Sequence, residues 1–272
     1  MSQKEKNAYI LGTEQAELHR LGLQHQVWAG EARQAWQNAE FSAGQTILDL
    51  GCGPGFCTRE LAYITGPNGQ VLGVDKSTHY IDFLNKVSAL HGLNIQTQAC
   101  DFEEMEIEAS SLDGAYCRWA LAWLDHPEEI IAKVKQGLKT GGAFVVHEYY
   151  DWSIFQTEPY PAGLQKGIEA ALQSFMDSPG DINIGRRLAA LFEEQEMEVI
   201  SIRPMSKLTT PDELTWQWPA TFLHIYLPKL VDAGYLSDQE VEMALAEWDA
   251  LAWIPGATCL CPQMIEVIAV KL

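Results

Sequence analysis

No run of about 18 apolar residues occurs in the 272-residue chain, so no membrane-crossing helix is expected and no membrane partner with it. The opening stretch from Met1 to Gly12 carries charges but no apolar block ahead of a small-residue cleavage site, so it does not read as a secretory leader. Basic residues are scarce. Eighteen Lys plus Arg stand against 37 Asp plus Glu, a formal net charge of -19. No cluster of Lys and Arg offsets that field, which repels a phosphate backbone, and a nucleic-acid partner is not expected. Cysteine is sparse too. Cys259 and Cys261 form a C-x-C pair with no second pair at zinc spacing. A metal site is therefore not expected, and free thiols fit a reducing cytoplasm. There is no internal repeat and no low-complexity tract. With 47% hydrophobic and 20% charged residues, the chain has the composition of a globular protein large enough to bury its own core.

The pattern along the chain is an alternation. The first forty residues read as mostly helix, with Leu11, Leu18, Leu21 and Trp28 at helical spacing. Thr46 to Leu50 is a short apolar run ending in glycines, as a buried strand does. A helix over Thr58 to Ile64 and a strand over Val71 to Asp75 follow. Ser77 is an N-cap, Tyr80, Ile81, Leu84, Val87 and Leu90 are an inward face, and Gly92 is the stop. Ile95 to Ala99 and Ala115 to Cys117 read as further strands. Pro127 opens a helix that Gly141 and Gly142 end, and Ala143 to Val146 is a fifth strand. Strict alternation of this kind specifies a parallel sheet with helices on both faces.

After Glu148 the rhythm breaks. Leu164, Ile168, Leu172 and Met176 mark a long helix, and Leu188, Leu191 and Phe192 a second. A strand over Glu198 to Ile202 follows, then helix from Thr210 to Trp253, with Thr210-Pro211 as a start signal and Ser237 with Glu240 as a capping box. Met264 to Val270 is the last strand. The reading is an α/β fold with an N-terminal helical cap (1–40), a ligand-binding core (41–150) and a remainder (151–272). The remainder holds the last strands and helical insertions placed as a lid over the sheet's carboxyl edge, where open α/β sheets take their ligands.

The sharpest motif is Asp49-Leu50-Gly51-Cys52-Gly53-Pro54-Gly55, between a strand and a helix. Glycines there let the backbone turn sharply and approach a ligand, and the helix start offers free N–H groups. The spacing is G-x-G-x-G rather than the dinucleotide G-x-G-x-x-G. The acidic Asp49 ahead of it suits a ligand with a positive group better than a pyrophosphate.

With Asp75 ending the second strand and Cys100-Asp101-Phe102 after the third, these residues resemble the class I S-adenosylmethionine-dependent methyltransferases, of the small-molecule, quinone and secondary-metabolite kind. The resemblance runs from about Tyr9 to Asp151. It implies a Rossmann-like, seven-stranded, mostly parallel sheet. It implies S-adenosylmethionine as cofactor and S-adenosylhomocysteine as product. Residue by residue, Asp49, Gly51 and Gly53 would wrap the methionine end. Asp75, with Lys76 beside it, would hold the ribose, and Asp101 with Phe102 the adenine. Arg118-Trp119-Ala120-Leu121 would line cofactor and substrate. Tyr9 and Arg20 match the helical cap that closes over the methionine end. The other reading of Arg20 is an ion pair with Glu17 on one helix face.

Methyl transfer from a sulfonium needs alignment first, and a base only where the acceptor must lose a proton. His147, at the end of the fifth strand, is the candidate base, with a packed and hydrogen-bonded strand residue as the other reading. Glu148 is a second candidate if desolvated. Trp119, Trp123, Tyr149, Trp152 and Trp216 are the candidate substrate residues, since apolar and aromatic walls suit a small, flat molecule. The expected activity is methylation of an O or N atom of a small aromatic or apolar molecule. A non-catalytic S-adenosylmethionine-binding protein of the same fold, or a protein methyltransferase, are the alternatives. The oligomeric state is left open, a homodimer included.

Overall fold

A computed structural model describes residues 15–272. Tyr9 therefore lies outside the described residues. The chain divides into two compact units. One holds 28–152, 179–205 and 263–272. The other holds 153–178, 206–262 and the described residues up to 27.

The helix α1 (Gln15–Asn38) contributes to both units. The first unit then runs β1 (Thr46–Leu50), α2 (Phe56–Thr65), β2 (Gln70–Asp75), α3 (Thr78–His91), β3 (Ile95–Ala99), β4 (Leu112–Arg118), α4 (Pro127–Gly137) and β5 (Leu138–Asp151). The second unit has β6 (Gln156–Glu158) and α5 (Ala162–Met176). The chain returns to the first for α6 (Leu188–Glu194) and β7 (Met197–Met205). In the second unit again lie β8 (Leu208–Thr209), α7 (Gln217–Tyr226), α8 (Lys229–Asp232), α9 (Asp238–Leu251) and β9 (Thr258–Leu260). The last strand, β10 (Gln263–Lys271), completes the first unit.

The expected seven-stranded sheet is present, in the order β3-β2-β1-β4-β5-β10-β7. Its first five strands are parallel, and β10 is antiparallel to both β5 and β7. Side chains alternate between the faces of a strand. In β1, Ile47 packs with Trp36, Leu61 and Val145, whereas Leu48 and Leu50 pack with Ile131, Val134 and Phe192. Both faces are thus covered, one by α1 and α2 and the other by α4 and α6. The Ser77 hydroxyl accepts from the Tyr80 amide, and Gly92 ends α3 with φ +62°.

Two boundaries differ from the sequence reading. Helix α4 stops at Gly137 rather than at Gly141-Gly142, and β5 starts at once from Leu138. Gly141, with φ +82°, belongs instead to a kink where the β4–β5 register shifts. Thr210-Pro211 does not start a helix. The Thr210 hydroxyl donates to Asp212 at 2.6 Å and the Glu213 carboxylate accepts the Thr210 amide, which closes a turn. The first-turn proline is Pro219, in α7.

The second unit also contains a three-stranded antiparallel sheet, β6-β9-β8, that the sequence reading did not anticipate. Its strands are two or three residues long, too short for an alternation to register. Helices α5, α7, α8 and α9 lie in that unit with the first half of α1, and the Ser237–Glu240 capping box opens α9 as expected.

Candidate functional site

Because β1 to β5 are parallel, their carboxyl ends share one edge of the sheet. The Gly51–Gly55 loop, Asp75, Asp101, the Arg118–Leu121 segment and Glu148 all fall there. The glycine loop is built on left-handed backbone. Gly51 and Gly53 have φ of +73° and +52°, and Gly55, at +82°, begins α2. A β-carbon on Gly51 would lie 2.5 Å from the Ala120 Cβ and 3.6 Å from the Phe102 ring. Three separate segments, after β1, β3 and β4, thus converge on one glycine. A β-carbon on Gly53 would meet nothing within 4 Å, so the loop presents bare backbone to open space.

Asp75 ties this loop to the next. Its Oδ2 accepts from the Gly53 amide at 2.9 Å and its Oδ1 from the Ser77 amide at 2.8 Å. Burial pushes its carboxyl up from the ordinary value, against the pull of those two amides. Each oxygen keeps a lone pair for a further donor. Lys76 beside it is exposed, as is Asp101. The loop bearing Asp101 and Phe102 is anchored by Lys133, whose ammonium donates to the carbonyls of Phe102 and Glu103.

Asp49 lies deeper, 2% exposed, and accepts from the Thr58 hydroxyl at 2.6 Å. Thr58 was absent from the sequence-derived set, and its place in the first turn behind the glycine loop was the available signal. Burial pushes the Asp49 carboxyl up to about 6, with the Thr58 bond and the Arg118 charge opposing. The folded value stands above the unfolded one. The stability that this implies is full below about pH 4 and is lost as the pH rises through about 6. Asp49→Asn is expected to flatten the fall in unfolding free energy between pH 4 and 6, a change on the order of 2 kcal/mol. Chemical denaturation across that range checks it, and an unaltered slope refutes it.

Trp119 has φ +57°, outside the ordinary range for a bulky side chain. Its amide donates to the His147 carbonyl at 3.1 Å, its indole N–H to the Met264 sulfur at 3.0 Å, and its carbonyl accepts the Trp123 indole at 2.9 Å. The Arg118 guanidinium lies 4.8 Å from its ring centre. Tyr149 lies 5.9 Å from Trp119 and 5.5 Å from Trp152, so these three candidate substrate residues form one aromatic row. Trp216 belongs to the other unit. There it stacks on Trp248 at 4.6 Å and helps line a cavity of about 280 Å³ with Gln217, Thr221 and His224.

His147 is fully buried, and both ring nitrogens are engaged inside the sheet. Nδ1 is 3.3 Å from the Tyr116 hydroxyl and Nε2 3.1 Å from Glu266, which also takes Arg203 at 2.6 Å. Burial holds the imidazole below its ordinary pKa. The expected role as proton acceptor does not fit this geometry, because neither nitrogen is left for an acceptor molecule. Glu148, on the opposite face of β5, accepts the Ala120 and Leu121 amides, each at 2.8 Å. Arg20, expected at the cofactor, makes a paired contact with Glu17 through Nε at 2.8 Å and its terminal nitrogen at 2.5 Å, and donates to Gln24 at 2.7 Å.

The family model described as "Methyltransferase domain" matches residues 41–195, more than half of the chain. A biotin biosynthesis bifunctional protein of Teredinibacter turnerae is 28% identical over 121 residues, 42% of this chain and 21% of that protein. A sterol 24-C-methyltransferase of Saccharomyces cerevisiae is 24% identical over 86% of this chain and 61% of its own length. A demethylmenaquinone methyltransferase of Desulfitobacterium hafniense is 25% identical over 69% of this chain and 74% of its own length. The chain spans between 21% and 61% of the first three curated relatives it matches. Among solved structures, a geranyl diphosphate C-methyltransferase from Streptomyces coelicolor superposes with TM-score 0.58 at 15% identity, over 90% of this chain and 76% of that one. The [4+2]-cyclase SpnF superposes with TM-score 0.55 at 14% identity, over 88% and 80%. These superpositions establish the fold.

Proposed function

As the chain belongs to the methyltransferase-domain family, we propose that it binds S-adenosylmethionine at the carboxyl edge of the sheet and transfers its methyl group to a small apolar molecule. The observation that carries this reading is the Asp75 carboxylate, fixed by two backbone amides beside a glycine whose surface is open. The residues fit the cofactor. Asp75 has acceptor capacity for a pair of hydroxyls, Gly53 allows close approach, and Gly51 lets Ala120 and the Phe102 ring pack beside the loop. When bound, the cofactor supplies a methyl group activated by its sulfonium charge. The chain's part is to orient. The Asp75 oxygens hold the sugar, the glycine loop follows the methionine end, and Asp101 stands at the outer rim for the base.

The sequence suggested an oxygen or nitrogen acceptor. One comparison moves the reading to carbon. The relative that covers 86% of the chain is named a sterol 24-C-methyltransferase. The aromatic row of Trp119, Tyr149 and Trp152 supports an apolar, unsaturated acceptor. The test is methyl-labelled S-adenosylmethionine with panels of isoprenoid alkenes and quinones, phenols, and amines, with products identified by mass. Label in the carbon panel supports the reading, label only in phenols or amines returns it to oxygen or nitrogen, and label in none refutes it.

A further inference from the structure

We infer that Glu148 is a positioning residue for the proposed transfer, its carboxylate holding the Trp119–Leu121 turn against the glycine loop. The inference rests on the reading above. Glu148 is fully buried near the end of β5. A buried carboxylate is costly, and apolar packing of similar volume is often the more stable choice. Here one oxygen takes two consecutive backbone amides, those of Ala120 and Leu121, each at 2.8 Å. Burial pushes the carboxyl up to about 8, against those amides.

The turn that it grips needs holding. Trp119 sits at φ +57°, a conformation that a bulky residue keeps only where its surroundings impose it. The His147 carbonyl fixes the Trp119 amide, and Glu148 fixes the next two. Two neighbours on one strand, pointing to opposite faces, thus clamp three successive amides. The consequence reaches the glycine loop. Ala120 presses so close to Gly51 that a β-carbon there would lie 2.5 Å away, and the Phe102 ring closes the same spot. A turn free to relax would let Trp119 return to ordinary backbone and swing its ring, and the wall beside Gly51 would move with it.

The experiment compares Glu148→Gln, Glu148→Asp and Glu148→Leu with the unaltered protein. S-adenosylhomocysteine affinity is measured by calorimetry well below each melting temperature, with circular dichroism confirming the folded state. The glutamine amide oxygen can still accept both N–H groups, so Glu148→Gln should bind within about threefold of the unaltered protein. Glu148→Leu should lose about tenfold or more, from two orphaned donors and a displaced turn. Glu148→Asp keeps the carboxyl group but falls one methylene short, so it should also weaken binding, and it decides the matter if the leucine variant does not fold. Wild-type affinity in the leucine or aspartate variant, with only the melting temperature lowered, overturns the inference. Failure of the unaltered protein to bind overturns the functional reading beneath it, and the inference with it.

Discussion

Replacing Asp75 with alanine is expected to weaken S-adenosylhomocysteine binding by about a hundredfold, since two hydrogen bonds to a charged acceptor contribute roughly 1.5 kcal/mol each. The variant should still fold. Asp75 is only part-buried, so water can reach the Gly53 and Ser77 amides that it leaves behind. Asp75→Asn should fall between the two, because its carbonyl can accept one amide while its NH₂ group opposes the other. Calorimetric titration of the three proteins measures this. Equal affinity in all three would mean that the ligand does not use this carboxylate, and the placement of the site would be wrong.

Glu266→Leu is expected to destabilise the sheet unit strongly, with no effect on ligand affinity in the folded protein. Burial pushes the Glu266 carboxyl up, but the bonds from His147 and Arg203 outweigh it and hold the carboxyl below its ordinary value. Glu266 is therefore ionised and can only accept. The neutral imidazole must then donate from Nε2 and accept the Tyr116 hydroxyl at Nδ1. Removing the carboxylate strands a buried histidine and an arginine. Loss of one partner from a buried pair costs about 3–5 kcal/mol, a fall in melting temperature of roughly 10 °C for a protein of this size. Thermal denaturation with a parallel titration checks both halves. A variant that kept its melting temperature but lost methyl transfer would restore His147 as a proton acceptor.

These two residues mark where the sequence could be read and where it could not. Asp75 was legible because its signal is local: an apolar run ends in a carboxylate, and a capping serine follows two residues later. The glycine loop, the β1 to β4 alternation and the stop at Gly92 were legible for the same reason. The Tyr116–His147–Glu266–Arg203 chain was not. It joins β4, β5, β10 and β7, and depends on β10 entering the sheet antiparallel between β5 and β7, an order that no local pattern records. His147 therefore kept two readings in the sequence, a base at a strand end and a packed, hydrogen-bonded strand residue, and the structure has the second. Arg20 is the intermediate case. Its contact with Glu17 lies three residues away, and the sequence reading carried it beside the cofactor role. The β6-β9-β8 sheet escaped because main-chain pairing, not side-chain period, defines strands that short.

The cofactor site at the carboxyl edge is the premise on which the proposed function stands. Calorimetric titration of the unaltered protein with S-adenosylhomocysteine tests that most directly. Saturable binding of one ligand per chain is expected, with a micromolar or tighter dissociation constant, about -8 kcal/mol or more favourable. A well-folded protein that gives no binding heat with S-adenosylhomocysteine or S-adenosylmethionine, and no rise in melting temperature with either, would contradict it.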